Sequence, residues 1–179
     1  MTEKSAQTKA YLNWLAQNGL LMNKLEMPVN FDGTNGVRAK TDIQPNEAFL
    51  FVPNKLLITV ESARQSEIAE VFKNHEQLFF TNLERDSLTV IVYLMHERLK
   101  GPESFWYPYF DALDMGKPAY LWPPEAIEMC DDPELRLQLR YDNQRATHLW
   151  EQIQKLIPVY PHYFSDFTRP LFEWAHQLF

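Results

Sequence analysis

Two hydrophobic periods alternate along the chain. From Ser5 to Asn18 the apolar residues Ala10, Leu12, Trp14, Leu15 and Ala16 recur at helical steps. Positions three and four apart share one face of a helix, so the pattern predicts an amphipathic helix. Asn18-Gly19 is its predicted stop, since these residue types tolerate the left-handed conformation at a helix C-terminus. Leu20 to Phe31 leads into a differently built stretch. There Gly33-Thr-Asn-Gly36 predicts a turn, Val37 to Ala39 a short strand, and Thr41 to Asn46 a second turn with Pro45 and Asn46 as punctuation. Ala48 to Val52 is a β-forming apolar run that ends at Pro53, and Leu56 to Ile58 is a third short strand. The expectation is a small, tightly turned β-unit.

Helical periodicity returns at Thr59. One helix is predicted from there to about Phe72, capped by Thr59 or Ser62. Thr81-Asn-Leu-Glu84 has capping-box spacing ahead of a helix over Asp86 to Leu99. Leu88, Val90, Ile91, Val92, Leu94 and Met95 leave that helix almost no polar face, which marks it as buried. Gly101-Pro102 ends it. The aromatic run from Phe105 to Phe110 predicts a buried wedge. With no acid converging on it, core packing is favoured over a box for a methylated cation. Lys117 to Glu125 reads as a loop into a short helix. Asp132-Pro133 starts the longest helix, which runs to about Leu156 with Leu135, Leu139, Ala146, Leu149, Trp150 and Ile153 as its stripe. Tyr160 to Phe164 reads as a loop. Thr168 caps a last helix, Leu171 to Leu178, whose apolar residues are Phe172, Trp174 and Ala175, with Phe179 beyond. The predicted class is α+β dominated by helix. Region 1–60 holds the first helix and the β-unit, and region 61–179 holds the remaining helices.

Composition narrows the function classes. A length of 179 residues suffices for a real core, and 45% hydrophobic with 14% aromatic residues is no disordered composition. The net charge of -7 and the absence of any Lys/Arg run argue against nucleic acid and against an anionic membrane surface. No apolar run approaches the roughly 18 residues of a membrane span, so no membrane insertion is expected. The single Cys130 allows no internal disulfide and no cysteine metal cluster. An intracellular, reducing compartment fits. Cytoplasm and an organelle such as the mitochondrion are not distinguished. His75, His96, His148, His162 and His176 show no metal-ligand spacing, so no metal is assigned. Cys130 reads as a small buried hydrophobe. No serine-nucleophile elbow or P-loop is present, and no catalytic residue is assigned.

Four groups of residues carry a family resemblance. They are Leu12, Trp14, Leu15, Asn18 and Gly19; then Gly36-Val-Arg-Ala39 with Asp42-Ile43, Glu47, Val52-Pro53 and Lys55-Leu-Leu-Ile-Thr59; then Ser104, Phe105, Trp106, Pro108, Tyr109 and Leu113; and last Phe172-Glu-Trp-Ala175. Together they resemble the front half of SET-domain protein methyltransferases, in the subgroup of the actin-histidine and RuBisCO large-subunit lysine methyltransferases. The resemblance implies a SET-like β-unit followed by a helical insertion. It also implies a glycine turn that meets the methyl donor S-adenosylmethionine, with Asn35, Gly36 and Arg38 nearest to it. The turn departs from the family pattern of an acid, Gly, any residue and Gly, because Gly33 and Thr34 occupy the first two places. The family's Asn-His pair and channel tyrosine belong to its second half, and the sequence ends at Phe179 before them. The expected function is therefore a SET-like, non-catalytic structural or interaction subunit with no cofactor of its own. Its obligate protein partners would dock on Phe172, Trp174 and Phe179. The alternative is the front part of a split or truncated S-adenosylmethionine-dependent protein methyltransferase acting on Lys or His.

Overall fold

The computed structural model describes residues 3–179. The chain separates into two compact units, Met1–Ile58 and Thr59–Phe179.

The first unit opens with α1 (Glu3–Gln17). Leu15 is buried, Leu12 and Trp14 are half-buried, and Ala10 and Ala16 are exposed, so the buried stripe is narrower than the apolar face in the sequence. The helix stops at Gly19, whose φ is +88°. The Leu20 N–H donates to the Leu15 carbonyl and the Gly19 N–H to the Ala16 carbonyl, both at 3.0 Å. That paired closure is what a left-handed cap provides.

Strand β1 (Leu25–Phe31) pairs antiparallel with β2 (Thr34–Ala39). Leu20 to Phe31, expected only as a lead-in, therefore carries the longer strand. Its alternation of Leu25, Met27, Val29 and Phe31 was a strand signal, disguised by Pro28. Proline cannot donate to a ladder, and Pro28 sits where the register shifts between Glu26 and Val29. The two further strands expected at Ala48–Val52 and Leu56–Ile58 do not form. Phe51 makes a single antiparallel bridge to Leu21, with N–H···O distances of 3.1 and 2.9 Å, and Asn54–Leu56 is a 3-10 turn. An isolated run of β-formers makes no ladder without a neighbouring strand to receive its N–H and C=O groups. The Pro45-Asn46 turn is present: the Glu47 N–H donates to the Gln44 carbonyl at 3.0 Å, and Asn46 has φ +65°.

The second unit begins with α2 (Val60–Arg64) and α3 (Ala69–Asn74), where one helix was predicted. Thr59 and Ser62 cap α2 reciprocally, at 3.1 and 2.9 Å. The break follows because the Ser66 hydroxyl donates to the Ala63 carbonyl at 2.6 Å, an alternative to continuing the helix. Gln77–Thr81 forms a π-helical turn. It takes Thr81 out of the expected capping box: the Thr81 hydroxyl donates to the Gln77 carbonyl, and Asn82 Oδ1 instead accepts the Glu84 N–H.

Helix α4 (Arg85–Leu99) is buried from Ser87 to Glu97 and forms the spine of this unit. After it come α5 (Tyr107–Ala112), α6 (Pro124–Glu128), α7 (Pro133–Gln154), α8 (Pro161–Phe164), where a loop was expected, and α9 (Arg169–Leu178). The π turn, α2, α5, α7 and α9 all pack on α4. Asp132 Oδ1 caps α7 through the Glu134 and Leu135 N–H groups, and the Thr168 hydroxyl caps α9 through Leu171. Only the second half of α7 is core-facing, through Ala146, Leu149, Trp150 and Ile153, whereas Leu135 and Leu137 are exposed. The fold is α+β and dominated by helix. Among the described residues, no helix is long and apolar enough to cross a membrane.

Candidate functional site

Asn35, Gly36 and Arg38 all lie on β2. The turn that presents them is Asp32-Gly33, shorter than the Gly33–Gly36 turn expected. Phe31 pairs with Thr34, and Asp32 and Gly33 have φ of +48° and +93°. Two consecutive positive-φ residues in a two-residue loop make the hairpin turn whose twist matches the strands. Asn30 Oδ1 accepts the Gly33 N–H at 3.0 Å and tightens it. Thr34, Asn35 and Gly36 are thus strand residues.

Gly36 does not take the left-handed backbone. Its lack of a side chain is used by the hairpin itself, because a Cβ there would lie 2.9 Å from Phe31 Cε2. Arg38 faces its cross-strand neighbour Glu26, with Nη2 and Nε at 2.7 and 3.2 Å from the same carboxylate oxygen. Both partners are about half-exposed, so the pair contributes on the order of 0.2–1 kcal/mol. Strand alternation puts Gly36 and Arg38 on one face and Asn35 on the other.

Beside the hairpin lies an apolar tract. Phe49, Leu50, Phe51 and Val52 are 36–58% exposed, and Leu21 across the bridge is 56% exposed. A cavity of about 240 Å³ lies along this tract, lined by Leu21, Asn23, Lys24 and Ala48 to Phe51. Lys24 pairs with Glu47 at its edge. That bond, then the Gln44 N–H, hold the Glu47 carboxyl below the usual carboxylate range.

A second assembly of polar groups lies in the helical unit and was missed in the sequence. The Ser104 hydroxyl donates to Glu97 Oε2 at 2.6 Å, so an acid does adjoin the aromatic run. Lys100 Nζ bridges Glu97 at 2.5 Å and Glu67 at 2.8 Å, and Glu67 also meets His96 Nε2 at 2.5 Å. Trp106 Nε1 donates to the Tyr93 hydroxyl at 2.9 Å. Glu97 and Ser104 are 5% exposed, and each has a partner, as buried polar groups require. Burial pulls the Lys100 ammonium down, but its bonds to Glu67 and Glu97 outweigh that and leave its pKa raised. Lys100, then His96, lower the Glu67 pKa. Every charge in the chain of contacts is answered by another, so the arrangement braces α4 against the start of the aromatic run. The only signal in the sequence was the charged stretch His96 to Lys100 at the end of an apolar helix. The wedge itself is mixed: Trp106 and Phe110 are buried, while Phe105 is 44% exposed.

The three aromatics expected to meet partners have separate environments. Phe172 is fully buried, with its ring 5.5 Å from that of Trp150. It belongs to the unit's own core and is unavailable as a docking residue. Trp174 is half-buried, with its ring edge-on to Phe110 at 5.0 Å and under the Arg98 guanidinium at 5.0 Å. Phe179 is exposed. Cys130 is half-exposed, not buried. No group of His, Cys, Asp and Glu among the described residues could hold a metal ion.

No protein-family model matches the chain. Over 155 residues it is 31% identical to the actin-histidine N-methyltransferase of Canis lupus familiaris, covering 84% of this chain and 25% of that protein. To the Homo sapiens protein of the same name it is 30% identical over 173 residues, covering 92% and 28%. The chain thus spans about a quarter of the length of these relatives. Among solved structures, the SET domain of LSMT bound to lysine and AdoHcy superposes with a TM-score of 0.80 at 21% identity, over 98% of this chain and 38% of that one. Rubisco LSMT bound to AdoMet gives 0.75 at 22% identity, over 96% and 39%.

Proposed function

Because this chain is related to the SET-domain protein methyltransferases, we propose that it serves as the front portion of a SET-type scaffold, acting through protein contacts and not through methyl transfer of its own. The observation that carries this is the tract Phe49 to Val52, four consecutive apolar residues left half-exposed and held by one backbone bridge. A strand from another polypeptide laid along it would satisfy the open N–H and C=O groups and cover the apolar side chains at once. The hairpin supports the same reading. Gly36 is used by Phe31, and Arg38 is paired with Glu26. Native mass spectrometry of the chain from its source, with and without S-adenosylmethionine, tests it. Recovery in a larger assembly that takes up no donor is expected, and Phe49→Ser/Phe51→Ser should release the chain from it. Recovery alone, carrying the mass of one donor, would sink the idea.

A second reading is favoured by the methyltransferase names of the relatives and by the AdoMet and AdoHcy in the structural neighbours. Here the chain is part of an S-adenosylmethionine-dependent protein methyltransferase acting on Lys or His. Calorimetric titration of the isolated chain with S-adenosylmethionine separates the two, since only this one predicts a binding heat that Gly36→Val abolishes.

A further inference from the structure

A cavity of about 730 Å³ opens in the helical unit where the end of α3 and the π turn meet the end of α7. Lys73 and Lys155 line it, with Glu76 as the one acid among its lining residues. This is a local positive excess on a chain of net charge -7. Each lysine ends a helix and so also complements that helix's dipole. Helix-end charge alone, however, calls for no cavity. Of the four side-chain amides on the lining, Asn74 Nδ2 donates to the Tyr160 hydroxyl, Asn82 Oδ1 accepts the Glu84 N–H, and Gln152 is engaged by His148 and Lys155. That leaves Gln77 with both its donor and its acceptor, and Asn74 Oδ1 and Asn82 Nδ2 beside it. The donor and acceptor of Gln77 match the N–H and C=O of an extended peptide. Leu83, next to the rim residue Asn82, is 96% exposed, an isolated apolar side chain beside a polar pocket. The Gln77–Thr81 π turn holds this rim, and such turns occur frequently at functional sites.

We infer that this cavity docks a short acidic peptide segment of a protein partner. The carboxylates face Lys73 and Lys155, the Gln77 amide with Asn74 Oδ1 and Asn82 Nδ2 meets the peptide backbone, and Leu83 packs against an apolar side chain of the segment. Nucleic acid is a poorer match, because the rest of the chain is acidic and would repel a phosphate backbone. The proposal goes beyond the scaffold role above and needs nothing from the Phe49 to Val52 tract, so either can fail alone.

The test uses the full chain and a fluorescein-labelled peptide, Asp-Glu-Leu-Asp-Glu-Leu, followed by fluorescence anisotropy at low and high salt. The same peptide with lysine in place of each acid is the control. Binding of the acidic peptide is expected to weaken as salt rises. Lys73→Glu/Lys155→Glu should weaken it by about tenfold or more, and Glu76→Gln should strengthen it. Both lysines are exposed, so the double variant should keep the wild-type circular dichroism and melting temperature. Amide chemical-shift changes should centre on residues 73–82 and 152–156. Equal binding by the double variant, equal binding of the lysine peptide, or shifts centred elsewhere would overturn the assignment. So would inorganic phosphate alone producing the same shifts and displacing the peptide, because the cavity would then be a small-anion site. Failure of the acidic peptide to bind at all would overturn it as well.

Discussion

Gly36→Ala is the sharpest probe of the hairpin. The added Cβ would sit 2.9 and 3.0 Å from two ring atoms of Phe31, tighter than carbon atoms pack. Overpacking of this kind costs about 1–3 kcal/mol, and the half-exposed Phe31 ring can swing aside, which favours the low end. Against that stands the lower entropy of the unfolded alanine chain, worth about 0.4–1 kcal/mol wherever alanine fits without strain. Gly36 lies in a strand with no left-handed backbone, so that gain is available. In the wild-type background the two nearly cancel or leave a net loss of up to about 1–2 kcal/mol. In a Phe31→Ala background the clash is gone, and Gly36→Ala should stabilise by about 0.4–1 kcal/mol. The pair therefore couples by about 1–2 kcal/mol, read as a several-fold difference in hydrogen-exchange protection of the β1–β2 amides across the four proteins. If Gly36→Ala has the same effect with and without the Phe31 ring, the hairpin does not need this glycine. Its presence would then point to a ligand.

Four further outcomes follow from the geometry. Phe172→Ala should destabilise the helical unit by about 3–5 kcal/mol, while Phe179→Ala should stay within about 0.5 kcal/mol in the same urea titration. Ser104→Ala leaves the buried Glu97 carboxylate short of a donor and should cost about 1.5–3 kcal/mol by denaturant midpoint. Arg145 bonds both oxygens of Glu84, at 2.9 and 2.6 Å, and lowers its pKa. A carboxylate with a depressed folded pKa adds stability above its unfolded pKa and loses it as pH falls through the folded one. Stability should therefore drop on acidification below about 4.5, less steeply in Arg145→Met. His176 Nδ1 shares a hydrogen bond with the Tyr120 hydroxyl, and burial, followed by Arg145 and Arg169, lowers its pKa. The unfolded chain then takes up the proton first, so stability should fall as pH drops below about 6.5, and His176→Gln should flatten that part of the melting-temperature profile.

The caps were legible in the sequence because they are local. Gly19, Thr59, Asp132 and Thr168 act within four residues of themselves, and each stops or starts a helix as its neighbours dictate. The buried helix α4 was legible because an all-apolar period leaves no alternative. What was not legible depended on distant partners. Nothing near Ala48 to Val52 says that only Leu21 will pair with it. The Glu67–Lys100–Glu97–Ser104 contacts join residues up to 33 positions apart, so no short motif announces them. Phe172 and Phe179 look alike in a string of apolar letters, and only packing separates the buried one from the exposed one. Of the candidate hairpin, only the place of Arg38 on a strand was readable, because Asn35 and Gly36 were expected in the turn. The roles of Phe31 and Glu26 in occupying Gly36 and Arg38 were not, because they come from β1, whose alternation Pro28 hides.

The tract from Ala48 to Val52 also bears on how the protein behaves at high concentration. Five consecutive β-forming or small apolar residues without a charge match the composition of segments that stack into fibrils. Glu47 and Pro53 flank them as gatekeepers, one by repulsion and one by withholding an N–H. Lys24 neutralises Glu47, which leaves the proline as the stronger guard. Covering or charging this one segment should therefore lower the tendency of the chain to self-associate.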